Sequence, residues 1–246
     1  PTKMEVNVDE NNGRIGKLIA EPLERGFGLT LGNSIRRILL SSLQGAAITS
    51  VKIKGVVHEF STIQGVKEDL TDILLNLKAV AVKVHSPGLK KMYLKSTGSG
   101  ELRAGNFETD SETEIMNPDQ LLMTLDSNAD IEVEANVETG KGYVTAEVAE
   151  DENKVIGEIK LDAMFSPVVK ATYKIENSRV GQVTDYDKLI FDVETNGVIS
   201  PDDAIALSAR ILQDQLQAFI NFDEPEIQQD LDSAERLSFN TNLLKK

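Results

Sequence analysis

An α+β fold is predicted by two features of the sequence. Apolar and polar residues alternate with the period of half-buried strands along much of the 246-residue chain. Three segments carry helical spacing instead, and they fall early, in the middle and late rather than between successive strands. That placement argues against a doubly wound parallel sheet. A chain this long buries enough surface to fold without staples. With no cysteine it has no disulfide framework, thiolate zinc site or thiol nucleophile.

The first helical segment runs from about Thr30 to Leu43. Leu31, Ile35, Ile38 and Ser42 share one stripe, widened by Leu39, while Leu40 and Leu43 stand opposite, flanked by Arg36 and Arg37. A second helix is predicted from about Gln64 to Lys78. Its core stripe is Val66, Leu70, Ile73, Leu74 and Leu77, with Leu75 and Lys78 pointing away as solvated positions. Val80, Val82 and Val84 alternate as a strand. So do Ile131, Val133, Ala135 and Val137, set against Glu132, Glu134, Asn136 and Glu138. Gly140-Lys141-Gly142-Tyr143 follows and predicts a hairpin connection. Val169, Ala171, Tyr173 and Ile175 make the next stripe, then Leu189, Phe191 and Val193, before Asn196-Gly197 punctuates the chain.

Ser200-Pro201-Asp202-Asp203 opens the third helix, expected from about Pro201 to Phe222. Serine serves as N-cap, proline takes the first helical position, and two carboxylates face the positive end of the dipole. Ile205, Ala209, Leu212, Leu216 and Phe219 form one stripe; Leu207, Ile211 and Ala218 form another on the far side. A helix apolar on two faces is either a buried layer or a partner surface. Arginines beside leucines favour the partner surface. From Asp223 to Glu235 the chain is acidic and apolar-poor, and reads as a linker.

Composition excludes several functions. Forty acidic against 26 basic residues give a net charge of −14, which repels phosphate backbones, and without tryptophan there is little to stack on bases. No apolar run approaches the roughly 20 residues that span a bilayer, and the first residues lack a signal peptide's basic and apolar regions. A soluble, intracellular protein is expected.

Catalytic patterns are sparse. Gly26-Phe27-Gly28 followed by Gly32 is spaced G-x-G-x-x-x-G, which is not the dinucleotide fingerprint. An enzyme holding a phosphorylated ligand on the Gly26–Gly32 turn is nevertheless the alternative to a pure binding role. His58 and His85 have no partner at ligand spacing and read as structural. Asp185-Tyr186-Asp187 leads into a strand and reads as a turn, not a metal clamp.

The segment Glu21–Ser42, EPLERGFGLTLGNSIRRILLSS, resembles the alpha subunit of bacterial RNA polymerase. His58–Asp69 leading to Asn76–Lys78, then Gly140–Tyr143, Phe165–Pro167, Ser178–Val180, Thr184–Leu189 and Glu194–Gly197 match in the same order, over about residues 4–222. The resemblance implies a discontinuous two-subdomain architecture. Residues 1–45 and 168–222 would form a dimerisation subdomain of sheet plus helices, 46–167 an inserted β-rich subdomain binding large polymerase subunits, and 223–246 an acidic tail.

The same resemblance implies a homodimer joined through Ile35, Leu39, Leu43, Leu207, Ile211, Leu212, Leu216 and Phe219. It assigns Arg37 and Leu40 to the beta subunit, and Lys78 and Leu161 to beta-prime, with Leu161 standing where valine is frequent. Omega and sigma would join the holoenzyme. Nucleotidyl transfer would belong to the assembled DNA-directed RNA polymerase in the cytoplasm. Its magnesium would sit on beta-prime, leaving this chain no catalytic residue, cofactor, DNA contact or membrane contact. Family members continue into a small helical carboxyl-terminal domain. Ending at Leu243-Leu244-Lys245-Lys246 and lacking an initiator Met, this chain reads as a fragment.

Overall fold

The computed structural model describes residues 3–8, 13–58, 60–146, 157–181 and 183–220. The acidic segment expected at 223–235 and the terminal Leu243–Lys246 lie outside the described residues. Pro1–Leu212 form one compact unit and Gln213–Lys246 a second.

The chain runs through β1 (Lys3–Val8), β2 (Ile15–Glu24) and α1 (Phe27–Ser41) into β3 (Gln44–Ile53) and α2 (Leu70–Lys78). Strands β4 (Val82–Val84), β5 (Lys90–Thr97), β6 (Gly100–Arg103), β7 (Thr113–Ile115) and β8 (Leu121–Leu125) follow. Then come β9 (Asp130–Lys141), β10 (Tyr143–Val144), β11 (Glu158–Lys160) and β12 (Ala163–Met164). The last elements are β13 (Val168–Val180), β14 (Val183–Thr195) and α3 (Pro201–Gln217).

One sheet has the order β1-β2-β14-β13, so it joins strands from both ends of the first unit. The other runs β5-β9-β3-β4-β7, with β11 added to β3; β6–β8 and β10–β12 are two-stranded ribbons. Every pairing between these strands is antiparallel, and with three α-helices among the described residues the fold is α+β.

Two large cores result. Leu18 and Leu23 of β2, Leu39 of α1, Phe191 of β14 and Ala204 and Ile205 of α3 bury one another in the first. Val51 and Ile53 of β3, Leu74 and Leu77 of α2, Met92 of β5 and Ile131 and Val133 of β9 fill the second. Between them, Phe165 packs with Ala47 and Ala163. There Gly45 of β3 pairs with Gly140 of β9, and the missing side chains leave a slot. A Cβ at Gly45 would lie 1.9 Å from the Phe165 carbonyl oxygen, and one at Gly140 would lie 2.7 Å from its ring. Glycine in a strand interior marks such a close backbone approach.

Several expectations change. The second helix starts at Leu70, not Gln64. Residues before it form a turn and bends tied to β8: Lys67 N–H bonds Thr124 O at 3.0 Å, Val66 bridges Leu125, and Glu68 accepts both the amide and hydroxyl of Thr124 at 2.7 Å. Burial pushes the Glu68 carboxyl up, but the two Thr124 bonds, its own backbone amide and the Lys67 charge together hold it below the usual range.

On β13 the expected stripe is broken near its start. A register shift between Val168 and Lys170 turns Val168 into the core and leaves Val169 exposed. Gly142 does not close a hairpin either. Strand β10 leaves β9 and pairs with β12, while the Gly142 carbonyl accepts the Phe165 amide at 2.8 Å. Ser200 does cap α3, its hydroxyl accepting the Asp203 amide at 3.4 Å.

Candidate subunit-docking surfaces

The glycine-rich turn shapes the start of α1. Gly26 has φ +90°, which glycine adopts without strain, and the amides of Gly26 and Gly28 point out of the helix end. Asp187 of β14 fills that position, its Oδ2 accepting both amides at 2.9 and 3.0 Å. A carboxylate at a helix N-terminus satisfies orphan donors and meets the positive end of the dipole. The motif Asp185-Tyr186-Asp187 therefore lies within β14 and not in the expected turn, and its Asp187 supplies the cap from that distant strand. Asp187→Ala is expected to lower stability by about 1–2 kcal/mol, which moves the melting midpoint down by about 3–6 °C. Thermal denaturation checks this; an unchanged midpoint would mean that water serves those amides equally well.

Past the cap, α1 lies on the first sheet. Leu39 and Leu43, both expected at a subunit interface, are 0% and 3% exposed and pack into the first core of their own chain. Ile35, Leu40 and Ile211 are half-buried against the same core, and Leu212 is half-buried as well. Leu207 is 49% exposed. In the second unit, Leu216 and Phe219 are exposed.

The adjacent arginines differ. Arg36 Nε donates to the Ala171 carbonyl at 3.0 Å, while Arg37 is exposed beside Leu40. Phe27 and Leu29, 51% and 59% exposed, stand out on the first turn of α1. Sequence reasoning missed both because it started the helix at Thr30 and treated the preceding residues as a turn. Their spacing on either side of Gly28 was the available signal.

A second surface surrounds α2. Leu74, Leu75, Lys78, Ile159, Leu161 and Asp162 line a shallow groove of about 350 Å³. Lys78 and Leu161, 83 positions apart in sequence, are thus brought together. Leu161 is nevertheless buried as the groove's floor, while Leu75, read from sequence as merely solvated, is 56% exposed at its rim. Lys78 Nζ donates to Asp162 Oδ2 at 2.9 Å, and the Ala146 amide donates to Asp162 Oδ1 at 2.9 Å. The Lys78 ammonium, then the Ala146 amide, hold the Asp162 carboxyl below its usual range. It therefore stays ionised at pH values where a free aspartate protonates.

His58 Nδ1 lies 3.3 Å from the Ser61 hydroxyl, and His85 Nε2 lies 3.9 Å from a Glu114 carboxylate oxygen. Among the described residues no group of three or more His, Cys, Asp or Glu side chains is placed to hold a metal ion. Nor is any described helix long and apolar enough to cross a membrane.

Residues 51–166 match the family model described as the RNA polymerase Rpb3/RpoA insert domain. This stretch contains α2, the groove and most of the second core. Residues 51–166 are thus similar to the insert domain of Rpb3/RpoA-type RNA polymerase subunits.

Proposed function

We propose that this chain is the amino-terminal assembly region of a bacterial-type RNA polymerase alpha subunit, a homodimeric scaffold on which the beta and beta-prime subunits build the transcribing core. One observation carries the reading. The stretch matching the insert domain, 51–166, is bracketed by two segments that fold into a single core, from Leu18 to Leu43 and from Val168 to Ile211. This supports a dimerisation subdomain of 1–45 with 168–222 interrupted by a β-rich subdomain of 46–167.

The exposed apolar side chains of α1 and α3 supply the dimer contacts in this reading. Arg37 and Leu40 meet beta, and the α2 groove meets beta-prime. Omega and sigma complete the cytoplasmic holoenzyme. Catalytic magnesium belongs to beta-prime, and a surface with a net charge of −14 leaves the grip on DNA to those partners. Nothing favours the phosphate-binding alternative, since the amides that would cradle a phosphate on the Gly26–Gly32 turn already serve Asp187.

Stepwise mixing tests the proposal. The chain alone is expected at about twice its 27.0 kDa in solution, and to take up beta and then beta-prime, read by mass. Arg37→Ala is expected to keep the dimer and weaken beta binding by about 2 kcal/mol, as for a desolvated interfacial arginine. A strict monomer at micromolar concentration would sink the scaffold, and normal beta binding by the variant would remove Arg37 from the contact.

A further inference from the structure

The α2 groove has an internal electrostatic arrangement that its lining alone does not convey. Asp162 sits on the link between β11 and β12, and its two carboxylate oxygens are both engaged: one by the Lys78 ammonium from α2, the other by the Ala146 amide. Lys78 and Asp162 side chains are 31% and 34% exposed, so the pair sits at the rim, half out of water. A lysine held this way has its charge compensated within its own chain, and its methylene stem lies along apolar surface. Next to it Leu75 projects, over a floor of Leu74, Ile159 and Leu161. Of the other charged groups, Lys160 lines the same groove.

We propose that Asp162 is the positioning residue of this groove: it holds the Lys78 ammonium back, so that Leu75 and the lysine stem present an apolar rim to an apolar segment of the partner. Lys78 then contributes shape and not a charge offered to an acidic peptide. The proposal rests on the reading of the groove as the beta-prime contact, and it moves the apolar contact from the buried Leu161 to Leu75. The physical reason is desolvation. Covering an ion pair that is already formed is far less unfavourable than covering a lone ammonium, which would demand a carboxylate from the partner.

The test uses full-length chain assembled with beta, titrated with purified beta-prime from the same source at low and at high salt. Lys78→Met, which keeps the stem and removes the charge, is expected to bind within about threefold of wild type once Asp162→Asn accompanies it. Asp162→Asn alone is expected to weaken binding about tenfold or more and to steepen its salt dependence, because the freed ammonium must be desolvated or find a new partner. The double variant reversing that loss is the signature of positioning, which a general structural role would not produce. Melting midpoints for each variant show whether the fold is retained. If Asp162→Asn does not fold, wild-type binding that is strongly salt-dependent still overturns the proposal. So does a double variant that binds no better than Asp162→Asn. Leu75→Asp addresses the underlying reading separately: unchanged beta-prime binding there would mean that the groove is not a docking surface at all.

Discussion

Gly45→Ala is expected to be the most damaging single substitution in the described fold. The added methyl carbon would be placed 1.9 Å from the Phe165 carbonyl oxygen, well inside van der Waals contact, and both atoms hang on backbone. No rotamer change relieves it. Either β3 must leave β9 locally or the Phe165-Ser166-Pro167 crossing must lift out of its slot. Overpacking a tight site ordinarily costs about 1–3 kcal/mol, and a backbone clash belongs at or beyond the upper end, about 3 kcal/mol or more. At this chain length that corresponds to a fall in melting midpoint of about 10 °C.

Gly140→Ala is a graded companion. Its methyl carbon would meet the Phe165 ring at 2.7 Å, and a ring can shift where a carbonyl cannot, so the loss is expected to be smaller. Gly13→Ala is not the right control, because its φ of +59° strains alanine even in open space. Phe165→Ala is more useful: combined with Gly140→Ala it removes the clash, so the two changes are expected to be less than additive. Thermal and denaturant unfolding of the four proteins measures the ranking. Equal losses for Gly45 and Gly140 would show that the slot is not set by the Phe165 backbone.

Phe27→Asp combined with Leu207→Asp is expected to convert the proposed dimer to a monomer while the fold survives. Both side chains are about half exposed in the single chain, so neither substitution empties a core. Buried at an interface, however, each would leave a carboxylate without water or partner, which costs several kcal/mol. Even a combined loss of only about 3 kcal/mol raises the dimer dissociation constant more than 100-fold. Sedimentation at several concentrations reads this, with Val57→Asp as a control, since Val57 is 65% exposed on the segment following β3. Dimer mass retained by the double variant would place the interface elsewhere on the chain.

Elements with strong, uninterrupted periodicity were legible. The alternation through Ile131–Val137 lies inside β9, and Leu189, Phe191 and Val193 are all buried on β14. Where a second chain segment intervened, periodicity misled. Gln64–Asp69 has helical spacing, but Thr124 and Leu125 offer its backbone strand-like partners, and those bonds win. Val169 fits a stripe by counting residues, yet one irregular position in the β13–β14 ladder moves it to the other face. For the candidate surfaces, the sequence grouped the exposed Arg37 with Leu39 and Leu43, which pack into their own chain's core. Helical spacing gives a face, and it does not say whether the chain itself or a partner covers that face.

By itself the sequence determined the fold class, the acidic surface and the absence of thiol chemistry, because these depend on composition and on local side-chain period. It also carried the ordered motifs on which the resemblance rests. Tertiary structure decided what those motifs are for. Asp187 caps a helix more than 150 residues away, Gly45 and Gly140 make room for Phe165, and Asp162 holds Lys78 across a groove. Each is a contact between residues far apart in the chain, governed by distances that no local pattern encodes.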